Sequence, residues 1–405
     1  MSGLSPEGSS GRLGRPGAGL NMRAAPLFVA LSTVLLLAGA AAETAVVTLT
    51  DEQRQRILAH GPWSQATARD PSNRMSGQAG AIAWGERLFN DARLSRDGTR
   101  ACASCHEPER AFSDGLSRAS GLVPSDRNTP SLLDVGGRRW FGWDGANDNL
   151  WAQSLRPLLD AGEMGGSLRS VAQTLRGHAD LRDAYRQVLG RAPERSDETV
   201  VVNLAKALAA YQETLRSRRT PFDDFRDALQ RGDRAAAAAY PPSAQRGLAI
   251  FVGKGRCALC HVGPSFSNGE FHDIGIPFFA APGRVDSGRH GGIKALLASR
   301  YNLLGPFNDD ASRRSAISTQ HVRLEHRHYG EFKVPTLRNL ARSAPYMHNG
   351  SLASLRDVVK HYSELNEERL HTDGERLLAP LRLSATETDD LLAFLDSLNE
   401  SDAAR

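Results

Sequence analysis

Helical periodicity dominates the order of apolar and polar residues along this chain. Thr50-Asp51-Glu52-Gln53 sets a hydroxyl three residues before a glutamine, a capping box that opens a helix running to about His60. Residues 81–89 read as a second helix, closed by the polar run from Asp91 to Gly98. The period returns over 167–189, and strongly over 198–215, where Val201, Leu204, Leu208 and Tyr211 share one face. Ser354 caps a helix whose Leu355, Val358, Val359 and Tyr362 fall at i, i+3, i+4 and i+7, which puts Tyr362 on the buried face and His361 at its flank. A last helix starts at the Ser384-Ala385-Thr386-Glu387 box and turns Leu391, Leu392, Leu395 and Leu398 inward. Residues 283–314, rich in Gly, Arg and Asp, read mainly as a long loop. No alternating stretch demands a sheet, so the expected class is mainly α.

The pattern also contains a faint repeat. Gly85-Glu86-Arg87-Leu88-Phe89 is echoed by Arg246-Gly247-Leu248-Ala249-Ile250-Phe251, and Phe112-Ser113-Asp114-Gly115 by Phe266-Ser267-Asn268-Gly269. Two copies of one unit, about 155 residues apart, are expected. The alanine run 235–239 followed by Pro241-Pro242 sets their boundary near 240. At the other end, Arg23 precedes an apolar stretch that exits through Ala40-Ala41-Ala42, the form of a secretory signal. Residues 1–42 are therefore expected to be a signal peptide cleaved after Ala42, with Met22 the true start. The competing reading is an uncleaved anchor, since 19 apolar residues just span a bilayer.

Composition narrows the class further. The 405 residues carry a net charge of +4, and nearly all of the 50 basic residues are arginine. That mild, unclustered excess gives no nucleic-acid footprint. Apolar content of 40 % excludes wholesale disorder, and four cysteines are too few for a disulfide scaffold.

The placement of those cysteines is decisive. They fall in Cys102-Ala103-Ser104-Cys105-His106 and Cys257-Ala258-Leu259-Cys260-His261, the Cys-x-x-Cys-His pattern of c-type haem attachment. Two thiols three positions apart each bond one vinyl-derived carbon, and the next residue presents an imidazole to iron. A zinc site built from the two pairs would bring them closer in sequence and need no trailing histidine. A thioredoxin-like dithiol would need a βαβ context. Two covalent haem c groups are expected, one in a haem-one domain, 43–240, and one in a haem-two domain, 241–405.

The distal ligands then separate a carrier from a peroxidase. No histidine lies between His106 and His178, and Met164 is the one methionine of that stretch, so haem one reads as open. For haem two the candidates after His261 are Met347, His348, His361, Tyr362 and several loop histidines. Periodicity alone favours Tyr362 as a core tyrosine over a ligand, and Met347 would make an ordinary His/Met haem.

The chain resembles the bacterial dihaem cytochrome c peroxidase family, and its MauG-like branch in particular. The resemblance runs from about Leu49 to Leu398 and rests on Arg127-Asn128-Thr129-Pro130, Phe141-Gly142-Trp143-Asp144-Gly145, Trp151-Ala152-Gln153 through Pro157, Glu163-Met164-Gly165, Val334-Pro335-Thr336-Leu337-Arg338-Asn339 and Ala344-Pro345-Tyr346-Met347-His348-Asn349-Gly350. It implies two cytochrome-c-like haem domains related by internal duplication. It also implies Tyr362 as the distal ligand of haem two, where conventional peroxidases have methionine. Those peroxidases place a histidine before the Arg-Asn-x-Pro block, whereas residues 115–126 hold none. Trp143 matches a tryptophan between the haems, and Gln153, Pro157 and Glu163 match the distal pocket of haem one. Read alone, Trp143 is a core residue and Glu163 a solvated acid. Asn128, with the carbonyls of Ser343 and Pro345, matches a calcium site.

Three functions follow as expectations. In the first, a periplasmic enzyme uses hydrogen peroxide, through a high-valent state shared by both haems, to oxidise tryptophan side chains of a partner protein. In the second, a conventional peroxidase reduces hydrogen peroxide with electrons from a small cytochrome or copper protein. In the third, a dihaem electron-transfer or redox-sensing module has both irons six-coordinate. None calls for nucleic acid or for stable membrane insertion after signal cleavage.

Overall fold

The computed structural model describes residues 47–63, 68–277, 279–281, 283–374 and 376–400, so the expected signal segment and Met22 lie outside the described residues. Helices carry the architecture: α1 (Asp51–Leu58), α2 (Ala79–Phe89), α3 (Leu150–Leu159), α4 (Leu168–Gly177), α5 (Ala179–Leu189), α6 (Asp197–Gln212), α7 (Pro221–Arg231), α8 (Arg234–Ala238), α9 (Pro242–Val252), α10 (Arg289–Ala298), α11 (Ile317–Gln320), α12 (Leu355–Ser363) and α13 (Ala385–Asp396). Strands are confined to two short antiparallel pairs. β1 (Phe271–His272) pairs with β4 (Phe332–Lys333), and β2 (Phe279–Ala281) with β3 (Arg284–Val285). The expected class, mainly α, is what the chain adopts. No helix among the described residues is long and apolar enough to cross a membrane.

Two apolar cores organise these helices. The first gathers residues from Met75 to Ala210, centred on α2, α3, α4 and α6. The second gathers Ile57 of α1 and residues from Phe222 to Leu398, centred on α7, α9 and α13. Core membership therefore changes between Ala210 and Phe222, and α1 and α7 pack with the C-terminal residues.

The repeat has a packing reason in each core. A Cβ on Gly85 would stand 2.0 Å from the Ala207 carbonyl of α6, and one on Gly247 would stand 1.9 Å from the Asp390 carbonyl of α13. Both glycines thus let a helix cross its partner backbone to backbone, and Phe89 and Phe251 are buried one turn further on.

Two elements depart from the sequence reading. The period over 167–189 is carried by two helices, because His178 takes an extended φ of −98° and ψ of 125° between α4 and α5. Residues 283–314 are mainly loop, as expected, but β3 and α10 interrupt it. The glycines that suggested a loop are needed in α10: a Cβ on Gly292 would lie 2.0 Å from the Asp144 carbonyl.

Buried and half-buried ion pairs brace these elements. Arg338 and Asp223 are both almost fully buried, paired at 2.7 Å, and the guanidinium stands 3.8 Å from the Trp63 ring. Arg127 reaches Asp144 at 2.7 Å and Asp286 at 2.6 Å. Lys206 on α6 holds Asp309 at 2.6 Å.

Candidate functional site

Each Cys-x-x-Cys-His segment folds as one tight turn. The N–H of His106 donates to the Cys102 carbonyl at 3.1 Å, and that of His261 to the Cys257 carbonyl at 2.9 Å. Both rings are then fixed from behind: His106 Nδ1 donates to the Phe112 carbonyl at 2.7 Å, and His261 Nδ1 to the Phe266 carbonyl at 2.9 Å. A proton on Nδ1 leaves the Nε2 lone pair for a metal. Phe112 and Phe266 turn their carbonyls inward by adopting left-handed φ values of 59° and 50°. Asp114 and Asn268 each accept from the N–H two residues on at 3.0 Å, closing both loops alike.

No disulfide joins any of the four cysteines. Burial pushes the Cys102 and Cys257 thiols up to about 12. Cys102 packs against the first core and Cys257 against the second, which removes a shared zinc site. These observations fit two covalently attached haems, one per motif. Burial also lowers both histidines, His261 to about 4, which keeps the imidazoles neutral.

Beside the first motif lies a cavity of about 240 Å³. Its lining brings together Cys102, Cys105, His106, Trp143, Gln153, Pro157 and Glu163. Gln153 and Pro157 stand one turn apart on α3, and the turn after that helix returns Glu163 to the same space. Gln153 Oε1 accepts from Asn147 at 2.9 Å; Glu163 Oε1 accepts from Arg156 at 2.6 Å. His106 is the one histidine of the lining, and Met164 belongs both to the lining and to the first core.

A second cavity, of about 80 Å³, shares a wall with the first. Trp143 stands in that wall, its indole N–H donating to the Asn128 carbonyl at 2.8 Å. Asn128, Ser343 and Pro345 all line the second cavity. Its lining contains no carboxylate, so calcium there would rest on neutral oxygens and water.

The sequence reading missed two residues of the shared wall. Arg138 and Lys333 line both cavities. Lys333 Nζ reaches only the Trp140 carbonyl, at 3.3 Å, and burial beside Arg138 lowers it to about 7. Arg138 donates to the carbonyls of Asp134 and Leu133. The nearby Asp144 is already paired with Arg127. A porphyrin tied by its vinyl edge carries two propionates on the opposite edge, and unpaired cations suit them. The signal available in sequence was Lys333 itself, one of the few lysines in an arginine-rich chain, flanked by Phe332 and Val334.

At the second motif the candidates sort themselves. Met347 lines the cavity of Trp143. The His348 ring stacks on Phe332, with centroids 3.5 Å apart. His361 Nε2 bonds the Ile274 carbonyl at 2.7 Å. Tyr362 remains, and its hydroxyl makes no hydrogen bond among the described residues. Burial raises its pKa, and the Cys257 and Cys260 thiols act on the phenol in the same direction, so it lies close to them. In α12 Val359 is buried while Arg356, Asp357 and Lys360 are exposed, the face expected from the periodicity.

Comparison with known proteins gives the same setting. The family described as di-haem cytochrome c peroxidase matches residues 79–231. The methylamine utilization protein MauG of Methylorubrum extorquens is 35 % identical over 326 residues, 80 % of this chain and 79 % of that one. The cytochrome-c peroxidase IdrP2 of a Pseudomonas species, strain SCT, is 30 % identical over 334 residues, 80 % of this chain and 82 % of the relative. Among solved structures, a MauG-like protein associated with microbial copper homeostasis superposes with a TM-score of 0.65 at 26 % identity, covering 85 % of this chain and 99 % of that one.

Proposed function

The chain belongs to the dihaem cytochrome c peroxidase family and is an oxidoreductase acting with hydrogen peroxide; on that premise we propose that it is of the MauG type, oxidising a partner protein at tryptophan side chains. The observation that carries this reading is Tyr362, with its unbonded hydroxyl set against Cys257 and Cys260 while Met347 is engaged elsewhere. Tyrosinate is a hard anionic ligand that favours higher oxidation states of iron, which suits storage of an oxidising equivalent rather than receipt of electrons.

The residues would divide the work as follows. Cys102, Cys105 and His106 would hold haem one; Cys257, Cys260, His261 and Tyr362 would hold haem two. Bound there, the two haems would supply peroxide cleavage and storage of its oxidising equivalents. Arg138 and Lys333 would bind propionates at the shared wall. Glu163 lines the cavity beside α3 with Gln153 and Pro157, and Asp144, the other carboxylate of that lining, is paired with Arg127, so Glu163 Oε2 would carry the proton that O–O cleavage needs, while Arg156 steadies Oε1. Pro157 offers that space no donor, and Asn147 orients the Gln153 amide. Trp143 would pass charge between the two sites. Asn128 and the carbonyls of Ser343 and Pro345 would bind calcium. The matched turns, and the twin roles of Gly85 and Gly247, support an origin of the two haem units by duplication. The apolar pattern of 24–42, if it is a cleaved signal, would bring the chain to the periplasm, where c-type haem is attached.

EPR and visible absorption of the ferric holoprotein test this, before and after one equivalent of peroxide. The expected result is one high-spin and one low-spin haem without a methionine charge-transfer band, both ferric signals vanishing together on peroxide. Two low-spin haems with that band, inert until partly reduced, would leave the conventional peroxidase.

A further inference from the structure

The haem chemistry leaves a second group of ligating side chains unused. His326 sits at the start of a tight helical turn, and His371 and Asp373 lie on a turn that follows α12. One nitrogen from each imidazole and one oxygen of the carboxylate lie within 4.8 Å of one another. His326 Nδ1 and Asp373 Oδ2 are 2.9 Å apart, and the two imidazole centroids are separated by 5.0 Å. None of the three lines either cavity of the proposed haem site.

We propose that His326, His371 and Asp373 bind one divalent transition-metal ion of the late first row, Cu(II) most tightly and Zn(II) next. The separations support a real bite. Imidazole nitrogen and carboxylate oxygen bind such ions at about 2.0–2.2 Å, so a pair 2.9 Å apart subtends roughly 90° at the metal. The ion thus takes the place of the proton that His326 and Asp373 now share. His371 closes the remaining gap by rotating its side chain on a turn that stays where it is. That turn is anchored, because the His371 N–H donates to Asp273 Oδ2 at 2.6 Å and the Gly374 N–H to the His371 carbonyl at 3.1 Å.

Two imidazoles and one carboxylate make a mixed nitrogen–oxygen set, which suits copper, zinc and nickel over calcium or magnesium, and affinity for such sets peaks at Cu(II). His326 and Asp373 are 72 % and 58 % exposed in their side chains, so solvent can reach the ion and water completes its coordination. Gly374 opens onto a surface cleft of about 390 Å³ that also meets His272 and Asp273. Asp273, which anchors His371, directly follows β1 and its His272.

The test uses tag-free, chelator-treated holoprotein titrated with Cu(II) and, separately, with Zn(II) by calorimetry. Cu(II) EPR reports the ligands. The proposal expects one site per chain, nitrogen superhyperfine structure from two imidazoles, and at least tenfold weaker binding in both His371→Ala and Asp373→Asn. A His178→Ala control, which leaves the three residues untouched, is expected to bind as the wild type does. Equal binding by wild type and His371→Ala would overturn the assignment, as would a Cu(II) spectrum with no nitrogen coupling or wild-type binding only in the millimolar range.

Discussion

Lys333 bears a charge that the polypeptide alone leaves uncompensated. Its Nζ has one carbonyl at 3.3 Å, Arg138 stands near, and Asp144 is committed to Arg127. A buried cation without an anion loses its proton more readily, which is why it titrates about 7 rather than in the usual lysine range. A propionate at the shared wall would restore the charge, and a cation beside a haem favours the reduced iron. Lys333→Met is therefore expected to move the haem-one midpoint to lower potential in spectroelectrochemistry, with Lys333→Arg staying close to the wild type. Equal midpoints in all three proteins would remove the propionate role. Cys102, Cys105, His106 and their counterparts are legible in sequence because attachment needs thiols and imidazole within one turn of chain. Lys333 becomes visible only when residues distant in sequence close a common wall.

At the level of helices, Glu213 forms the C-terminal cap of α6, where backbone carbonyls already concentrate negative charge. Burial raises it to about 7; Ser76 donates to Oε2, while Oε1 is buried without a partner. The native state therefore holds a proton that the unfolded chain releases at the ordinary glutamate pKa. Stability falls as pH rises from about 4.5 to about 7, by at most roughly 3 kcal/mol. Urea unfolding of wild type and Glu213→Gln at pH 5 and pH 8 is expected to show the wild type losing stability relative to the variant at the higher pH. Parallel behaviour would contradict the burial argument. Capped, periodic helices such as α1, α6, α12 and α13 are readable because their signals are local. α10 is not, since its two adjacent glycines imitate a loop until the Asp144 carbonyl occupies the space beside Gly292. The break at His178 is hidden for the opposite reason: the apolar period runs on across it while the backbone does not.

The whole molecule sets the two haem motifs in separate cores and makes one wall between cavities from both. Arg127 bridges to Asp286, Arg118 donates to the Ala280 carbonyl, and Arg342 donates to the Pro108 carbonyl, so the wall is braced on several sides. Trp143 is held there by its own indole bond to Asn128 and by Lys333, whose N–H donates to the Trp143 carbonyl at 2.8 Å. An aromatic ring fixed between two redox groups offers charge a place to pause, and neither a flexible nor a solvated ring would keep that path constant. Trp143→Phe keeps the volume of an aromatic but removes the indole N–H and the easily oxidised ring. If the two sites act as one through this residue, the variant is expected to consume peroxide at haem one while the ferric signal of haem two decays more slowly than that of haem one, measured by freeze-quench EPR. Simultaneous loss of both signals at the wild-type rate would mean that charge crosses the wall by another route. The expectation follows from position more than from chemistry: the motifs name two irons, but only the fold puts Trp143 in the wall shared by the cavity beside Cys102 and His106 and its smaller neighbour.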